Sequence, residues 1–378
     1  MTNTQKKRSG PRPLCIHTGL LQANAASYGD FAQDNFIPYS NEDRINIIRG
    51  IQKYQNSTYS ADRPSLSSQY EYKGIHLLTP DEEDKENVQY KRSLLLIPSL
   101  INNANIFNLN KDRSFALWLQ QNDIEVFILD WGDISKTNPD VTMETLVAEI
   151  LPHMIHAASD RAQNSLDILG YCMGGTLLLG GLSFTAVNIG KIIFLAVPWD
   201  FHSEKSGFFK SLRLWSPFAL ETIQRNGYLP SLWVEFLFAM LDMSKAGSKF
   251  MDFDKMDPRS EQARLFIDVE DWLNSGCDIP KHIAQYCIKE WFSGNVTAQN
   301  KWIIKDCVID PSSYKNDVLI IASDKDKITP YECTEALEKQ LGNANVTVLK
   351  ESCGHISYIA GQNAVASIWE PLLEWVKE

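Results

Sequence analysis

The sequence has little positive charge. Its 36 Lys and Arg residues stand against 47 Asp and Glu residues, a net charge of −11, and the pI is near 5.2. Binding to nucleic acid without regard to sequence needs a basic face that displaces phosphate counterions. The composition therefore excludes that class of partner, and we expect no nucleic acid to bind.

Cysteine pairs and phosphate-binding loops are also missing. The seven cysteines are an odd number, none forms a C-x-x-C pair, and no secretory signal precedes them. We therefore expect reduced thiols in a cytoplasmic protein. The sequence has no P-loop and no G-x-G-x-x-G motif, so no residues that would bind phosphate groups can be named. We expect no tightly bound cofactor. We expect no metal either, because no Cys or carboxylate cluster completes a site around His153 and His156.

One stretch, between Asp167 and Lys191, has no formally charged residue. Hydropathy alone would suggest a membrane span there. Glycine is frequent in this stretch, and at that density it weakens an isolated membrane helix while permitting a tight turn and close packing. We therefore predict a buried strand, a turn and a buried helix, and no transmembrane segment.

The remaining pattern alternates between strands and helices. The apolar run at 126–129 is typical of a strand that is covered on both faces. Helices are predicted at about 140–160, from Gly174, at 332–340 and at 362–377. Such alternation predicts an α/β fold, a mostly parallel sheet with helices on both faces. The predicted strands are 70–78, 93–98, 124–131, 166–169, 192–197, 318–322 and 346–349.

Three segments are predicted from composition. Residues 1–65 form a partly disordered N-terminal segment, since their first dozen residues are polar, basic and rich in Pro and Gly. Residues 66–199 and 306–378 form the α/β core. Residues 200–305 are aromatic and helical in pattern. They are predicted to be a helical cap insertion over the active site, because ligands bind at the carboxyl ends of the strands in such sheets.

The residues LGYCMGG at 169–175 carry the first chemical signal. They form a G-x-C-x-G pattern between a predicted strand and a predicted helix, the nucleophile elbow with sulfur in place of oxygen. Small neighbours are needed because the turn is strained, and the positive end of the following helix favours a thiolate. Cys172 is therefore the predicted nucleophile; the alternative is a buried structural cysteine in a glycine-rich turn.

An acid and a base follow in order along the chain. Asp326 lies in an acidic loop after the predicted strand at 318–322, and His355 follows the last predicted strand. The order nucleophile, acid, base is that of the α/β-hydrolases. His355 is predicted to accept the thiol proton of Cys172, and Asp326 to fix the imidazole tautomer and stabilise its charged form. Asp324, two residues away, is the alternative acid.

Backbone N–H groups are predicted to form the oxyanion hole. Met173 follows the nucleophile and supplies the first donor. The second is expected from Leu100 or Ile101, in the loop after the second predicted strand. Asn102 in the same loop and Trp199 after the strand at 192–197 are further predicted to line the substrate site.

Several spaced motifs together resemble the polyhydroxyalkanoate synthases. That family carries a P-x-x-I-N loop, a G-x-C-x-G-G elbow, a D-x-I-x-P acid loop and a G-H-I histidine. The resemblance covers about residues 90–360. Its motifs here are IPSLINNANIFNL (97–109), LDWG (129–132), LGYCMGGTLL (169–178), DKITP (326–330) and GHI (354–356).

The resemblance implies an acyltransferase on the α/β-hydrolase fold. Such an enzyme polymerises 3-hydroxyacyl-CoA into a polyester such as poly-3-hydroxybutyrate, holds the acyl chain on Cys172 as a thioester, and releases coenzyme A. The family assigns the base to His355, and gives Asp326 the activation of the hydroxyl as well as orientation of the histidine. It further implies a growing polyester chain, a homodimer or a second synthase subunit as partners, and a place in the cytoplasm at the surface of polyester granules.

Three other functions stay open at this point. A cysteine-triad thioesterase or esterase of the same fold would hydrolyse an acyl-CoA or a polyester; exclusion of water favours transfer, and its admission gives hydrolysis. The elbow also resembles that of the dienelactone hydrolases. A non-catalytic granule-associated protein with this fold would not need a reactive thiol at Cys172.

Overall fold

The computed structural model describes residues 8–12, 14, 40–81 and 89–378. The chain divides into two compact units, one formed by Met1–Asp62 with Ser231–Gly276 and the other by Arg63–Pro230 with Cys277–Glu378. These boundaries differ from the predicted segments 1–65, 66–199 with 306–378, and 200–305. The role of residues 200–305 as a cap stays a prediction.

An eight-stranded sheet forms the centre of the larger unit. Its spatial order is β1-β2-β4-β3-β5-β6-β7-β8. The strands are β1 Leu66–Tyr72, β2 Ile75–Pro80, β3 Arg92–Ile97, β4 Ile124–Asp130, β5 Leu166–Tyr171, β6 Ile192–Leu195, β7 Asp317–Ser323 and β8 Asn345–Glu351.

The sheet is parallel from β4 to β8, and β2 pairs antiparallel with both β1 and β4. All residues of β5 and β6 are buried, as expected of central strands covered on both faces. This order, with its single reversed strand at β2 inside a doubly covered sheet, is the arrangement of the α/β-hydrolase fold. The predicted fold class is confirmed.

Helices of the larger unit connect its parallel strands, and four of the helices given below lie in the described part of the smaller unit. The first residue of α4 follows directly on β5 and Cys172. The helices are α1 Asn41–Asn56, α2 Phe115–Gln121, α3 Leu151–Ser159, α4 Met173–Leu182, α5 Gly207–Asn226, α6 Ser231–Leu241, α7 Met243–Lys255, α8 Glu261–Leu273, α9 Lys281–Tyr286, α10 Tyr331–Gln340 and α11 Glu370–Lys377.

Shorter elements complete the chain. Single helical turns lie at Ala104–Phe107, Lys111–Arg113, Ile134–Thr137, Met143–Thr145, Pro311–Ser313 and Ser357–Ala360. Segments of π-helix lie at Leu146–Ile150, Cys287–Ser293 and Val365–Trp369. Two small antiparallel pairs join Tyr228–Leu229 to Ile279–Pro280, and Ile303–Ile304 to Cys307–Val308.

The uncharged stretch forms β5, a turn and α4, as predicted, and all ten residues of α4 are buried. Over the ranges that the structure describes, no helix combines the length and the apolar character needed to cross a membrane.

The strand predicted at 70–78 is wrong, because this segment is a hairpin of β1 and β2. Lys73 and Gly74 form the turn with φ angles of 52° and 72°. Two consecutive left-handed residues make the tight turn that suits the twist of an antiparallel pair. Gly74, at the second position of the turn, is the sequence signal that could have predicted the hairpin.

The smaller unit has its own apolar core. Ile47, Ile51 and Tyr54 of α1 pack against Phe250 and Phe253 of α7. The two helices approach closely where α1 carries a glycine: a Cβ at position 50 would lie 1.9 Å from the backbone oxygen of the first of these phenylalanines. Glycine is therefore required at this crossing.

Candidate active site

Cys172 occupies the turn between β5 and α4. Its φ of 53° and ψ of −132° place a non-glycine residue in a strained backbone conformation. The strand side of the turn is fixed by a hydrogen bond from its N–H to the oxygen of Leu195, at 2.9 Å. The helix side is fixed by one from the N–H of Gly175 to the Cys172 oxygen, also at 2.9 Å. The predicted elbow geometry is therefore present.

The glycines around Cys172 are required by close backbone contacts. A Cβ at Gly170 would lie 2.4 Å from the Cα of Gly175. One at Gly174 would lie 2.4 Å from the oxygen of Ile97 and 2.5 Å from that of Pro98. Larger residues would push the first turn of α4 away from β5 and from the loop that follows β3.

Asp326 and His355 are joined at the carboxyl ends of β7 and β8. The Nδ1 atom of His355 lies 2.7 Å from Oδ2 of Asp326. The backbone N–H groups of Ile328 and Thr329 donate to Oδ1 of the same carboxylate at 2.8 and 3.0 Å. Asp326 is 1% exposed, whereas Asp324 is exposed. The structure thus brings Asp326, of the two candidate acids, to the histidine.

Asp326 and His355 each stabilise the charged form of the other. Burial by itself raises the pKa of Asp326, but His355 and the backbone N–H donors hold that pKa below its ordinary value. Burial likewise lowers the pKa of His355, while Asp326 and Cys172 raise it to about 10. The rise in the pKa of His355 that Cys172 causes places its sulfur close to the imidazole. At neutral pH the arrangement favours an imidazolium beside the sulfur.

Tyr171 supports the histidine from the strand side. Its ring stacks on the imidazole with ring centroids 5.4 Å apart and planes inclined by 24°. Its hydroxyl donates to the backbone oxygen of His355 at 3.0 Å, and the residue is 2% exposed. Sequence reasoning missed this contact, although Tyr171 is the variable residue directly before the nucleophile in the elbow motif.

A serine at the end of β7 fixes the loop before His355. The Ser323 hydroxyl donates to the backbone oxygen of Cys353 at 2.8 Å and accepts from the N–H of that residue at 2.9 Å. This contact closes the short segment between β8 and the histidine. The imidazole is therefore positioned by its own backbone as well as by Asp326.

The loop after β3 lies beside the elbow and is held on two sides. The indole N–H of Trp131 donates to the oxygen of Pro98 at 2.9 Å, and the N–H of Cys277 donates to the oxygen of Ile101 at 2.8 Å. The N–H of Ile101 lies 3.3 Å from the Ser99 hydroxyl. That contact competes with the predicted role of Ile101 as an oxyanion donor.

The other two predicted donors lie where the prediction puts them. Met173 is the first residue of α4, where a backbone N–H has no acceptor within the helix. Leu100 is buried in the loop after β3. Their roles as donors stay predictions.

The two predicted substrate-site residues differ in exposure. Asn102 is half-buried in the loop after β3. Trp199 is 0% exposed, its indole N–H donates to Gln340 at 2.7 Å, and its ring packs edge-on against Trp302. The Trp199 side chain is thus used in packing, and its place at the substrate site stays a prediction.

The two histidines of α3 have ordinary partners. His153 stacks on Tyr72 with ring centroids 4.0 Å apart and lies 2.6 Å from the hydroxyl of Tyr70. His156 pairs with Asp160 at 2.9 Å. In the parts of the chain that the structure covers, no group of three or more His, Cys, Asp or Glu side chains could hold a metal ion.

Comparison with known proteins identifies related sequences. Residues 296–374 match the family model described as TAP-like protein. The chain is 23% identical over 312 residues to the poly(3-hydroxyalkanoate) polymerase subunit PhaC of Haloferax mediterranei, a match that covers 81% of this chain and 63% of that protein. It therefore spans less than two thirds of the length of that relative.

A second relative matches along nearly its whole length. The poly(3-hydroxyalkanoate) polymerase subunit PhaC of Thiocystis violacea is 20% identical over 372 residues, 97% of this chain and 99% of that protein. The protein of the same name from Haloarcula marismortui is 22% identical and covers 89% of this chain and 71% of that protein. Among solved structures, a lipase from Acinetobacter baumannii covers 92% of this chain and 99% of its own at 17% identity, with a TM-score of 0.49.

Several of these relatives bear the name of the family that the sequence motifs resemble. The resemblance of this chain to the poly(3-hydroxyalkanoate) polymerase subunits, on an α/β-hydrolase fold, is confirmed.

Proposed function

We propose that this protein is an acyltransferase of the polyhydroxyalkanoate synthase type, which polymerises 3-hydroxyacyl-CoA and carries the acyl chain on Cys172. The observation that carries the proposal is a cysteine on a strained elbow beside a hydrogen-bonded pair of His355 and the buried Asp326. An imidazolium beside the sulfur stabilises a thiolate, which is the nucleophilic form of cysteine.

The first half of the reaction loads the enzyme. The Cys172 sulfur, with its proton on His355, attacks the carbonyl carbon of the acyl-CoA. A carbon–sulfur bond to Cys172 forms, the bond to the coenzyme A sulfur breaks, and His355 returns the proton to the departing thiolate. One thioester replaces another, so the step changes little in free energy. The N–H groups of Met173 and Leu100 are the proposed donors to the transient oxyanion.

The second half extends the polyester. A hydroxyl of the chain or of the next monomer gives its proton to His355 as its oxygen attacks the acyl carbon. An ester forms, the bond to Cys172 breaks, and the thiolate again faces an imidazolium. In this step Asp326 stabilises the charged imidazole and acts on the attacking hydroxyl through it. A thioesterase would use the same loading step and then water in place of the hydroxyl.

The test is to supply 3-hydroxybutyryl-CoA and to follow free coenzyme A together with product size. We expect polymer, and a loss of coenzyme A release of at least about a thousandfold in Cys172→Ala. Cys307→Ala is the matched control, because this half-exposed cysteine lies in the small strand pair at Cys307–Val308, and we expect it to keep full activity.

Other products contradict the proposal in distinguishable ways. Free 3-hydroxybutyrate in place of polymer would identify a thioesterase. No release of coenzyme A, even with a candidate second subunit, would exclude this substrate, and slow alkylation of Cys172 in the same preparation would favour a non-catalytic protein. We further propose a cytoplasmic enzyme that acts at the polyester surface as a homodimer or with a second synthase subunit. The molar mass of the active species tests whether the enzyme acts as a homodimer or with a second subunit.

A further inference from the structure

Three polar groups surround the hydroxyl of Thr329. Its Oγ1 atom lies 3.0 Å from Oδ2 of Asp326, 3.0 Å from Nδ1 of His355, and 3.1 Å from the backbone oxygen of Ala196. Thr329 is 0% exposed. The hydroxyl therefore lies against both members of the acid–base pair.

A hydroxyl has one proton and two lone pairs, so it cannot donate to two oxygens at once. When its proton points to Ala196, a lone pair faces the Nδ1–H of His355, and that N–H is shared between Asp326 and Thr329. When its proton points to Asp326, the carboxylate oxygen accepts from both the hydroxyl and the imidazole. Each arrangement fills the space beside Nδ1 with a polar atom and opposes rotation of the ring.

We propose that Thr329 is a positioning residue whose hydroxyl holds the Nδ1 side of His355 against Asp326, so that Nε2 stays directed at Cys172. The inference rests on the proposed function, since it concerns the same three residues. It adds a fourth side chain that sequence motifs do not identify, because Thr329 occupies one of the two variable positions of the D-x-I-x-P loop.

The side chain can be separated from the rest of the loop. The backbone N–H of Thr329 donates to Asp326 whatever the side chain is. The loop is also tied elsewhere, because the hydroxyl of Ser206 donates to the backbone oxygen of Ile328 at 2.8 Å. Removal of the Thr329 hydroxyl therefore keeps the backbone N–H donors to Oδ1 of Asp326 and changes the surroundings of Nδ1 and of Oδ2.

The substitution Thr329→Val keeps the shape of the side chain and removes the hydroxyl. It leaves the Nδ1–H with one acceptor, and deprives the Ala196 oxygen of its hydroxyl donor. Thr329→Ser keeps the hydroxyl and removes a methyl group. The two variants separate hydrogen bonding from packing.

The titratable groups that face His355 are Asp326, Cys172, Tyr171 and Tyr358. The first three contact it as described, and the ring of Tyr358 lies edge-on with ring centroids 6.5 Å apart. None of the four is changed in either variant. A change in the pH profile can therefore be traced to the lost hydroxyl.

The experiment measures alkylation of Cys172 by iodoacetamide between pH 5 and 10, resolved by peptide mass spectrometry, and kcat and KM for 3-hydroxybutyryl-CoA. We expect Thr329→Val to lower both kcat and the neutral-pH alkylation rate about fivefold to tenfold, with KM unchanged and the acid limb of the profile moved to higher pH. The low-field proton resonance of His355 Nδ1 should shift as well. Thr329→Ser should stay within about twofold of the wild type.

Two results would overturn the inference. One is a Thr329→Val protein that matches the wild type in rates, profile and proton resonance. The other is a Thr329→Ser protein that is as impaired as Thr329→Val, since packing would then account for the loss. Alkylation needs no acyl-CoA. Slower alkylation of Thr329→Val in a protein that never releases coenzyme A would therefore refute the proposed function and leave the inference standing.

Discussion

The two halves of the candidate site are held in different ways. The nucleophile side is built from backbone: a strained Cys172, two hydrogen bonds of its own peptide groups, and glycines that allow main chains to approach. The acid–base side is built from side chains, with His355 held by Asp326, Thr329 and Tyr171. We infer that the first half tolerates almost no substitution, whereas the second can be weakened one hydrogen bond at a time.

The largest effect is expected at Asp326 on the acid–base side. Asp326→Asn should keep the fold and lower kcat about 10³- to 10⁴-fold, because the amide no longer stabilises the imidazolium or fixes its tautomer. Steady-state turnover of 3-hydroxybutyryl-CoA measures it. Asp324→Asn is the matched control, since that exposed carboxylate lies two residues away. Equal losses in both variants would contradict the assignment of the acid.

On the nucleophile side, Gly174→Ala should damage the structure itself. The new Cβ would lie 2.4–2.5 Å from two backbone oxygens, which cannot move as a flexible side chain could. We expect unfolding free energy to fall by about 2–4 kcal/mol, measured by denaturant titration. Gly342→Ala is the control, because nothing lies within 4 Å of its Cβ position. If Gly174→Ala is as stable as this control, the backbone account of the elbow is wrong.

The stability of the acid–base side should depend on pH. The folded pKa of His355 is raised from 6.5 to about 10, so its contribution is complete below about pH 6.5 and is lost as the pH rises to about 10. Asp326 has a lowered folded pKa, so its contribution is present above about pH 3.8 and is lost at lower pH. Unfolding free energies of the wild type should therefore fall from pH 6.5 to 10. A His355→Gln protein that falls equally steeply would contradict this origin.

A smaller effect is expected at Tyr171. Tyr171→Phe keeps the ring on the imidazole and removes the hydrogen bond to the His355 backbone, so we expect kcat to fall about threefold to tenfold. Tyr314→Phe is the matched control, because it removes a hydroxyl that also lies 3.0 Å from a backbone oxygen, that of Leu179. The control should lose comparable stability and keep its turnover. Unchanged kcat in Tyr171→Phe would mean that stacking alone positions the histidine.

This contrast also explains what the sequence could predict. The elbow was accessible because strand, glycine-flanked turn and helix are contiguous, and Asp326 because its loop has a recognisable spacing to Pro330. The contacts of Tyr171 and Thr329 with His355 join residues 184 and 26 positions apart, and no local pattern reports them. The packing of Trp199 could not be predicted for the same reason, since its partners Gln340 and Trp302 are remote in sequence.

The secondary structure shows the same limit. Buried parallel strands were predicted from continuous apolar runs, which need no knowledge of neighbours. The hairpin of β1 and β2 was missed because its two strands are separated by only Lys73 and Gly74. A two-residue turn interrupts the apolar strand pattern only briefly. The hairpin can be predicted only if Gly74 is recognised as a residue that adopts the left-handed backbone conformation.

The most direct test of the central claim is to look for the acyl group on Cys172. The protein is mixed with 3-hydroxybutyryl-CoA, the reaction is quenched in acid, and the protein is digested. The mass of the peptide that contains residue 172 is then measured by mass spectrometry. The account predicts one or more 3-hydroxybutyryl units on that peptide, removable by hydroxylamine as a thioester is, and absent from Cys172→Ala. Release of coenzyme A by Cys172→Ala at the wild-type rate, with no acyl group on the wild-type peptide, would contradict it.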